Sequence, residues 1–383
     1  MRMTDVFVIG ADLIKFGRYP DRTPAQLGAE ATLLALDDAG LTVHDIEVVY
    51  ASSTFNAASM IAQQVLKQIG QTGVPCINVS NACASGATAF REAFIAIKSG
   101  IYDVALAVGA EKNPKGLLGG PAPEGPAPEG LFGSGTTPAM FAEAGMVHAQ
   151  EYGTTIEQFA KVAVKNHHHA TMNAKAMYRL ETPLEQVLAS EMIAYPLTKL
   201  MCSANVDGAA AAILVSERKA RELGMGRAVR IIGSALASDP YQKRNPALID
   251  ADSVTRLAVA KAYEMAGVGP GDLDIVELHD CFATAEILHY ENLGLCGQGE
   301  AGSLIDSGET ALGGRIPVNV SGGLLSKGHP IGATGIANIV EIVQHLRGEA
   351  GARQVAGARI GLAHVLGFSS IAGVAGVHIL EKV

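Results

Sequence analysis

Charge is scarce in this 383-residue chain, and the little there is does not lean basic. Only 17% of residues are charged and the net charge is −9. That balance argues against a nucleic-acid binder, which presents a basic face, although a local basic patch for phosphates remains compatible with an acidic total. No apolar run approaches the roughly 18 residues that a spanning helix needs. The first residues lack the long apolar core of a signal peptide, because Asp5 and Asp12 interrupt it. Cysteine is sparse and odd in number, at positions 76, 83, 202, 281 and 296. None of these form a CxxC pair, so neither a disulfide framework nor a zinc framework is expected. The glycine-rich stretch 319–335 contains neither GxxxxGK nor GxGxxG, so a nucleotide P-loop is not expected there. A cytoplasmic enzyme without a membrane span, a nucleic-acid partner or a bound metal is the resulting expectation.

What is plentiful is apolar surface. Hydrophobic residues make up 48% of the chain, enough to bury a large core and a subunit interface as well. Short apolar runs alternate with amphipathic stretches, the signature of an α/β fold. Expected strands cover 6–10, 47–51, 77–79, 104–109, 229–232, 275–278, 318–320 and 360–363, and their continuous apolar character suits strands covered on both faces.

The chain also repeats itself. Ala39-Gly40-Leu41-Thr42-Val43-His44-Asp45-Ile46-Glu47-Val48-Val49 aligns without a gap on Ala266-Gly267-Val268-Gly269-Pro270-Gly271-Asp272-Leu273-Asp274-Ile275-Val276. Ile77-Asn78-Val79-Ser80 recurs as Val318-Asn319-Val320-Ser321, and each is followed by Gly-Ala-Thr, at 86–88 and 332–334. Asp103-Val104-Ala105-Leu106-Ala107 is echoed by Arg359-Ile360-Gly361-Leu362-Ala363. Three matches in one order imply two similar halves, 1–120 and 228–383, separated by an excursion over 121–227. Within that excursion Pro-Ala-Pro-Glu-Gly occurs twice from Pro121 to Gly130, which reads as loop, and 138–200 is mainly helical in pattern.

Four loops follow apolar strands, where α/β folds build their sites. Cys83, in Asn81-Ala82-Cys83-Ala84-Ser85-Gly86, sits between a strand and the start of a helix. A helix N-terminus favours thiolate, the nucleophilic form, whereas the bland reading is a small buried hydrophobe. His279 and Cys281, in His279-Asp280-Cys281-Phe282, are two apart and face one side of an extended backbone. They can pass protons or bind a metal, or the segment is a helix start capped by Asp280. His329 lies between Gly328 and Pro330 in a rigid loop, suited to a general base or an oxyanion donor, or else without a role. In Ala363-His364-Val365-Leu366-Gly367, the glycine can offer an N–H to an oxyanion, and His364 is either a further polar contact or a core residue. His167-His168-His169 lies in a helical pattern whose consecutive residues diverge, so a solvated or interface role is expected for it.

These motifs, in order and across essentially the whole chain, resemble the thiolase superfamily. Asn-Ala-Cys-Ala-Ser-Gly resembles its nucleophile motif and Gly328-His329-Pro330 its Gly-His-Pro. His279-Asp280-Cys281-Phe282 resembles the variant of sterol-carrier-protein-2-type thiolases, where classical thiolases have Asn-Glu-Ala-Phe. Asn205-Val206-Asp207-Gly208-Ala209-Ala210 resembles the segment that re-enters the second half. The resemblance implies a five-layered αβαβα fold of two duplicated halves with an inserted loop domain. It implies acyl-CoA C-acyltransfer: 3-ketoacyl-CoA cleavage by coenzyme A, or the reverse condensation, through an acyl-Cys83 thioester. His329 would activate Cys83 and contribute to an oxyanion hole, Cys281 would handle the α-proton, and His279 would bind the thioester oxygen. Coenzyme A and acyl-CoA would be substrates, with no cofactor held permanently. A homodimer or dimer of dimers is implied, and a small coenzyme-A-presenting partner is compatible with it. The classical C-terminal catalytic cysteine is absent, with Ala363-His364-Val365-Leu366-Gly367 in its place, and Cys281 would take over its function. A thiolase-like aldolase acting on a hydroxyacyl-CoA and a non-catalytic subunit of a complex are the alternatives.

Overall fold

The computed structural model describes residues 4–116, 136–241, 250–369 and 372–383. The first half runs β1 (Val6–Leu13), α1 (Pro24–Ala39), β2 (Val48–Ser52), α2 (Ile61–Ile69), β3 (Cys76–Val79), α3 (Ser85–Lys98) and β4 (Val104–Glu111). Next come α4 (Thr137–Tyr152), α5 (Ile156–Thr171), α6 (Leu184–Ala189), a small hairpin of β5 (Met192–Ala194) and β6 (Leu197–Thr198), then β7 (Gly208–Ser216) and α7 (Glu217–Leu223). The rest is β8 (Val229–Ser238), α8 (Ser253–Ala266), β9 (Ile275–Glu277), α9 (Ala283–Asn292), α10 (Ala301–Asp306), α11 (Thr334–Arg347), β10 (Ile360–Ser369) and β11 (Ala372–Lys382). The Pro121–Gly130 repeat lies outside the described residues. No described helix is long and apolar enough to cross a membrane.

Nine strands form one ladder in the order β3-β2-β4-β7-β1-β8-β11-β10-β9. Its midpoint is thin: β1 meets β8 through only Phe7–Arg230 and Val8–Val229. On either side the order repeats, β3-β2-β4-β7-β1 against β9-β10-β11-β8. Val318 completes the second set by bridging Val276 in parallel, as β3 pairs with β2. The expected strand at 318–320 is therefore a single bridge rather than a full strand.

Besides the small β5–β6 hairpin, two strands of the ladder escaped the periodicity argument. β7, Gly208-Ala-Ala-Ala-Ala-Ile-Leu-Val-Ser216, is alanine-rich and locally prefers helix. Its place between β4 and β1 overrides that preference. Ala209, Ala211, Ile213 and Val215 face the α1–α2 layer, while Ala210, Ala212 and Leu214 face α3 and α11. Small side chains let a helix close down on each face. β11 likewise pairs on both sides, with β10 and β8.

The apolar clusters define five layers. One packs α1 and α2 on the first sheet half. The second holds α3 and α11 between inner faces of both halves. The third covers the other outer face with α8, α9 and residues of α4 and α5. This is the αβαβα arrangement that the resemblance implies. In the central layer α3 and α11 cross at their first turns. A Cβ on Gly335 would lie 2.3 Å from the Ala87 nitrogen, and one on Gly86 would lie 3.0 Å from the Gly335 and Ile336 nitrogens. The helices that meet are thus aligned on Gly86 and Gly335. The Gly-Ala-Thr match is shifted from this frame, since 86–88 lies inside α3 whereas 332–334 leads up to α11.

Because backbone rather than a flexible side chain stands opposite Gly335, Gly335→Ala must separate the two helices. It is expected to lower stability by about 1–3 kcal/mol, as overpacking of a core does. A urea midpoint shifted down at unchanged slope is the measurement that checks this.

Candidate active site

The turn carrying Cys83 leaves β3 and enters α3 at Ser85. Ala82 adopts φ +47°, a left-handed conformation unfavourable for a residue with a Cβ. Its surroundings hold it there: Ser85 Oγ and Thr54 Oγ1 both donate to the Ala82 carbonyl, at 2.6 and 3.0 Å, and Ser85 Oγ accepts from the Asn81 N–H at 2.8 Å. Such over-determined local strain marks functional turns. Gly367 of β10 lies directly beneath: a Cβ there would sit 2.4 Å from the Asn81 carbonyl and 2.9 Å from the Ala84 nitrogen. The glycine at this strand end therefore makes room for the nucleophile turn, a packing role that the sequence did not indicate.

His329 is placed from the other half. Gly328 takes φ +119°, and a Cβ on it would strike Val206 at 2.6 Å. The His329 N–H donates to the Ala204 carbonyl at 2.9 Å, and its own carbonyl accepts from Asn113 Nδ2 at 2.6 Å. Thr334 Oγ1 donates to the Pro330 carbonyl at 3.0 Å, so its contact with His329 Nδ1 at 2.7 Å must be one in which the ring N–H donates. The tautomer follows: Nε2 carries the lone pair, and it faces Cys83 Sγ at 3.4 Å.

His279 stands edge-on to His329, with ring centroids 5.2 Å apart. The ligand atoms of Cys83, His279 and His329 all lie within 4.8 Å of one another. Cys281 is buried in the same pocket; after burial itself, the Cys83 sulfur is the strongest influence raising its thiol pKa. The four residues singled out in the sequence are thus gathered at one place. His364 is wholly buried behind them, with Nδ1 3.5 Å from the His279 N–H and Nε2 3.3 Å from Thr255 Oγ1, a core position.

Asp280 does not cap α9, whose N-cap position is Phe282. Its carboxyl reaches across to the other loop, accepting from the Leu324 and Leu325 N–H groups at 2.7 and 3.3 Å and from Asn166 Nδ2 at 2.8 Å. Gly323 has to be glycine beside it, because a Cβ would lie 2.1 Å from Asp280 Oδ2. The histidine run on α5 does diverge, but only His168 is exposed. His167 and His169 are buried, with His167 Nδ1 2.6 Å from Ser326 Oγ and His169 Nδ1 3.0 Å from the Asn319 carbonyl. They fasten α5 to the loop that leads to His329, an internal role in place of the solvated or interface role expected.

Glu111 and Asn113 are the residues that sequence reasoning missed. Glu111 is wholly buried at the end of β4, and its carboxylate accepts from Ser53 Oγ, Asn56 Nδ2 and the N–H groups of Thr54, Phe55 and Gly332 at 2.6–3.3 Å. Continuing the repeat from Asp103–Ala107 and Arg359–Ala363 would have set Glu111 opposite Gly367, which was already a candidate.

Burial decides the charge state of the pair. Dehydration pushes the Cys83 thiol up to about 12, although the residue keeps some exposed surface, and pushes the His329 imidazole down to about 3. His279 is held well below its usual value, by burial first and by the neighbouring histidines second. The helix-end argument predicts an easier thiolate, and the structure corrects it. Loss of hydration raises the thiol pKa and outweighs the roughly 0.3–1 kcal/mol that a helix terminus offers a thiolate. Burial thus favours the neutral thiol and the neutral imidazole.

Comparison with known proteins agrees with this architecture. The family model described as "Thiolase, N-terminal domain" matches residues 6–115, and "Thiolase C-terminal domain-like" matches 240–382. An acetyl-CoA acetyltransferase of Methanothermobacter thermautotrophicus is 40% identical over 99% of this chain and 100% of its own. Sterol carrier protein 2 of Homo sapiens is 39% identical over 94% of this chain and 70% of its own. Among solved structures, a chain described as "Ltp2-ChsH2(DUF35) aldolase" superposes with a TM-score of 0.83 at 26% identity, covering 100% of this chain and 99% of that one. The fold and site define an α/β protein with a paired cysteine and histidine at the crossing of two helix starts. The chain belongs to the thiolase superfamily, in its sterol-carrier-protein-2-type branch.

A thiol raised in pKa ionises in a small fraction at neutral pH, and that fraction grows tenfold with each pH unit below the pKa. The rate of Cys83 alkylation by iodoacetamide is therefore expected to climb without a plateau from about pH 6 to about pH 10. A plateau already reached near neutrality would mark a preformed thiolate–imidazolium pair and contradict the neutral forms that burial favours.

Proposed function

We propose that the protein is an acyl-CoA C-acyltransferase that cleaves a 3-ketoacyl-CoA with coenzyme A, or runs the reverse condensation, through a thioester on Cys83. The observation that carries this reading is the 3.4 Å approach of Cys83 Sγ to the unprotonated Nε2 of His329. A neutral thiol beside a neutral base is ready to give up its proton as the S–C bond forms. In the cleavage direction Cys83 attacks the keto carbon and His329 takes the thiol proton. The bond between the α- and β-carbons breaks, leaving acyl-Cys83 and the enolate of acetyl-CoA or propionyl-CoA. Cys281, a protonated thiol in the same pocket, delivers the proton to the α-carbon. Coenzyme A then attacks the thioester, its thiol proton passes to the site, and acyl-CoA leaves with Cys83 restored. His279, edge-on to His329, is assigned to the thioester oxygen. The sequence of steps involves no net oxidation, so it calls on no redox cofactor.

The reading extends to assembly. β3 closes one end of the ladder and, among the described residues, pairs with β2 alone; its four residues are all half-buried in the single chain. A second copy is assigned to that edge, giving the homodimer that the resemblance implies. A DUF35-type partner, as in the description of the structural neighbour, is compatible with catalysis in the same protein.

That neighbour is described as an aldolase, which supplies the rival reaction: carbon–carbon cleavage of a hydroxyacyl-CoA without a covalent intermediate. The pairing of Cys83 with a base and with Cys281 supports acyl transfer instead.

Incubation with acetyl-CoA followed by peptide mass spectrometry separates the two. Acyl transfer predicts an acetyl thioester on Cys83 that is lost in Cys83→Ala. In Cys281→Ala the thioester is expected to persist, while exchange of acetyl-CoA α-protons in D2O falls by about 10²-fold or more. Aldol cleavage retained in Cys83→Ala, with no thioester from any acyl-CoA in the wild type, would sink the reading.

A further inference from the structure

We propose that Cys83, His279 and His329 form a three-ligand site for a zinc-type divalent cation whose binding locks the nucleophile and slows acyl transfer. One sulfur and two imidazole nitrogens, all within 4.8 Å of one another, converge without a carboxylate. That is a soft, nitrogen-and-sulfur donor set, which selects Zn2+ over Mg2+ or Ca2+. A tetrahedral zinc ion with bonds of about 2.0–2.3 Å sets its ligand atoms about 3.3–3.6 Å apart. Cys83 Sγ and His329 Nε2 already have this spacing at 3.4 Å, and from the 4.8 Å limit the His279 ring has to close by no more than about 1.5 Å to join them.

The surroundings favour a ligand set over a chance cluster. His329 donates its Nδ1–H to Thr334 Oγ1, which fixes the tautomer that presents Nε2, as second-shell partners of metal-bound histidines do. His279 is buried, yet its Nδ1 has no hydrogen-bond partner and, among the described residues, its imidazole makes no hydrogen bond at all. Every other histidine ring around the Cys83 pocket and its backing loop is engaged through at least one nitrogen: His167, His169, His289, His329 and His364. An imidazole nitrogen without a protein partner beside a thiol and a fixed lone pair is available to a ligand. Three protein ligands leave the fourth position open, the pattern of accessible rather than purely structural zinc sites.

On binding, the Cys83 S–H bond breaks, an S–Zn bond forms, and the proton leaves to solvent. No atom changes oxidation state. Zinc takes one sulfur lone pair and lowers the nucleophilicity of those left, and it takes the His329 lone pair that would accept a proton, so acylation and alkylation at Cys83 are slowed in the metallated chain. Zinc is an inhibitor here, distinct from a cofactor, and the site exists whether or not the chain catalyses acyl transfer.

Binding is read without turnover. Wild type, Cys83→Ala and His279→Gln are dialysed against Zn2+ alone and the bound metal is measured; the proteins are then treated with iodoacetamide and the Cys83 peptide is quantified by mass spectrometry. The wild type is expected to hold one Zn2+ per chain, with Cys83 alkylation falling in proportion and returning on chelation. The ion is expected to be lost from Cys83→Ala, which removes only a small side chain, and weakened by at least about 100-fold in His279→Gln. Retention of the same ion by Cys83→Ala puts it elsewhere and overturns the proposal, as does a wild type whose Cys83 alkylates at an undiminished rate in saturating zinc.

Discussion

The close crossing of α3 and α11 at Gly86 and Gly335 is the constraint on which the rest of this molecule depends. A separation set by backbone against glycine cannot be widened without moving both helix starts. Those starts carry the two loops that matter: Cys83 is two residues before α3, and His329 five residues before α11. Packing in the central layer thereby fixes the 3.4 Å between sulfur and imidazole, even though 246 residues separate them in the chain. The same layer is sandwiched by both sheet halves, so the constraint is backed on each side by strands.

Burial at that crossing has an electrostatic consequence. Loss of hydration favours the uncharged forms of Cys83, His279 and His329. The polar groups that surround the pocket are held by partners instead of by solvent. Glu111 is fixed by five donors, and Asp280 shares Asn166 with Glu286, whose other oxygen meets Lys165 at 2.7 Å. Burial and the charge of Glu286 both drive the Asp280 pKa well upward, so its neighbours bind a carboxyl with little tendency to ionise. Such groups position the loops around the four residues in the pocket.

Those four residues were legible in the sequence because each interrupts a pattern. A cysteine or histidine among small residues at the end of an apolar run, followed by a helix, stands out from periodicity. The repeat then showed that separate loops fall at equivalent strand ends. Glu111, Asn113 and Asp280 were not legible in their roles, since their partners lie on remote segments: Asn113 holds a carbonyl 216 residues away, and Asp280 holds amides 44 residues away. β7 was hidden for a different reason. Its alanines favour helix locally, and only two flanking strands and two covering helices make the extended form preferable. The buried pair His167 and His169 shows the same limit, because which face of α5 is wet depends on what packs on it.

The two halves share a frame but exchange their support. β4 and β10 occupy equivalent places, and their ends differ in chemistry. β4 ends in Glu111, which takes the Gly332 N–H and so fastens the second half's His329 loop to the first half. β10 carries Gly367, whose missing Cβ lets the first half's Cys83 turn rest on the second. Each of the two loops that bring Cys83 and His329 together is thus built by one half and held by the other. A carboxylate at position 367 would fill the space of the nucleophile turn, and a glycine at 111 would leave the donors of Ser53–Asn56 and Gly332 without an acceptor. Duplication alone would have produced two similar and incomplete sites; it is the divergence of these strand ends that makes one complete site. Neither half contains that site by itself, which ties the chemistry of Cys83 to the docking of the whole fold.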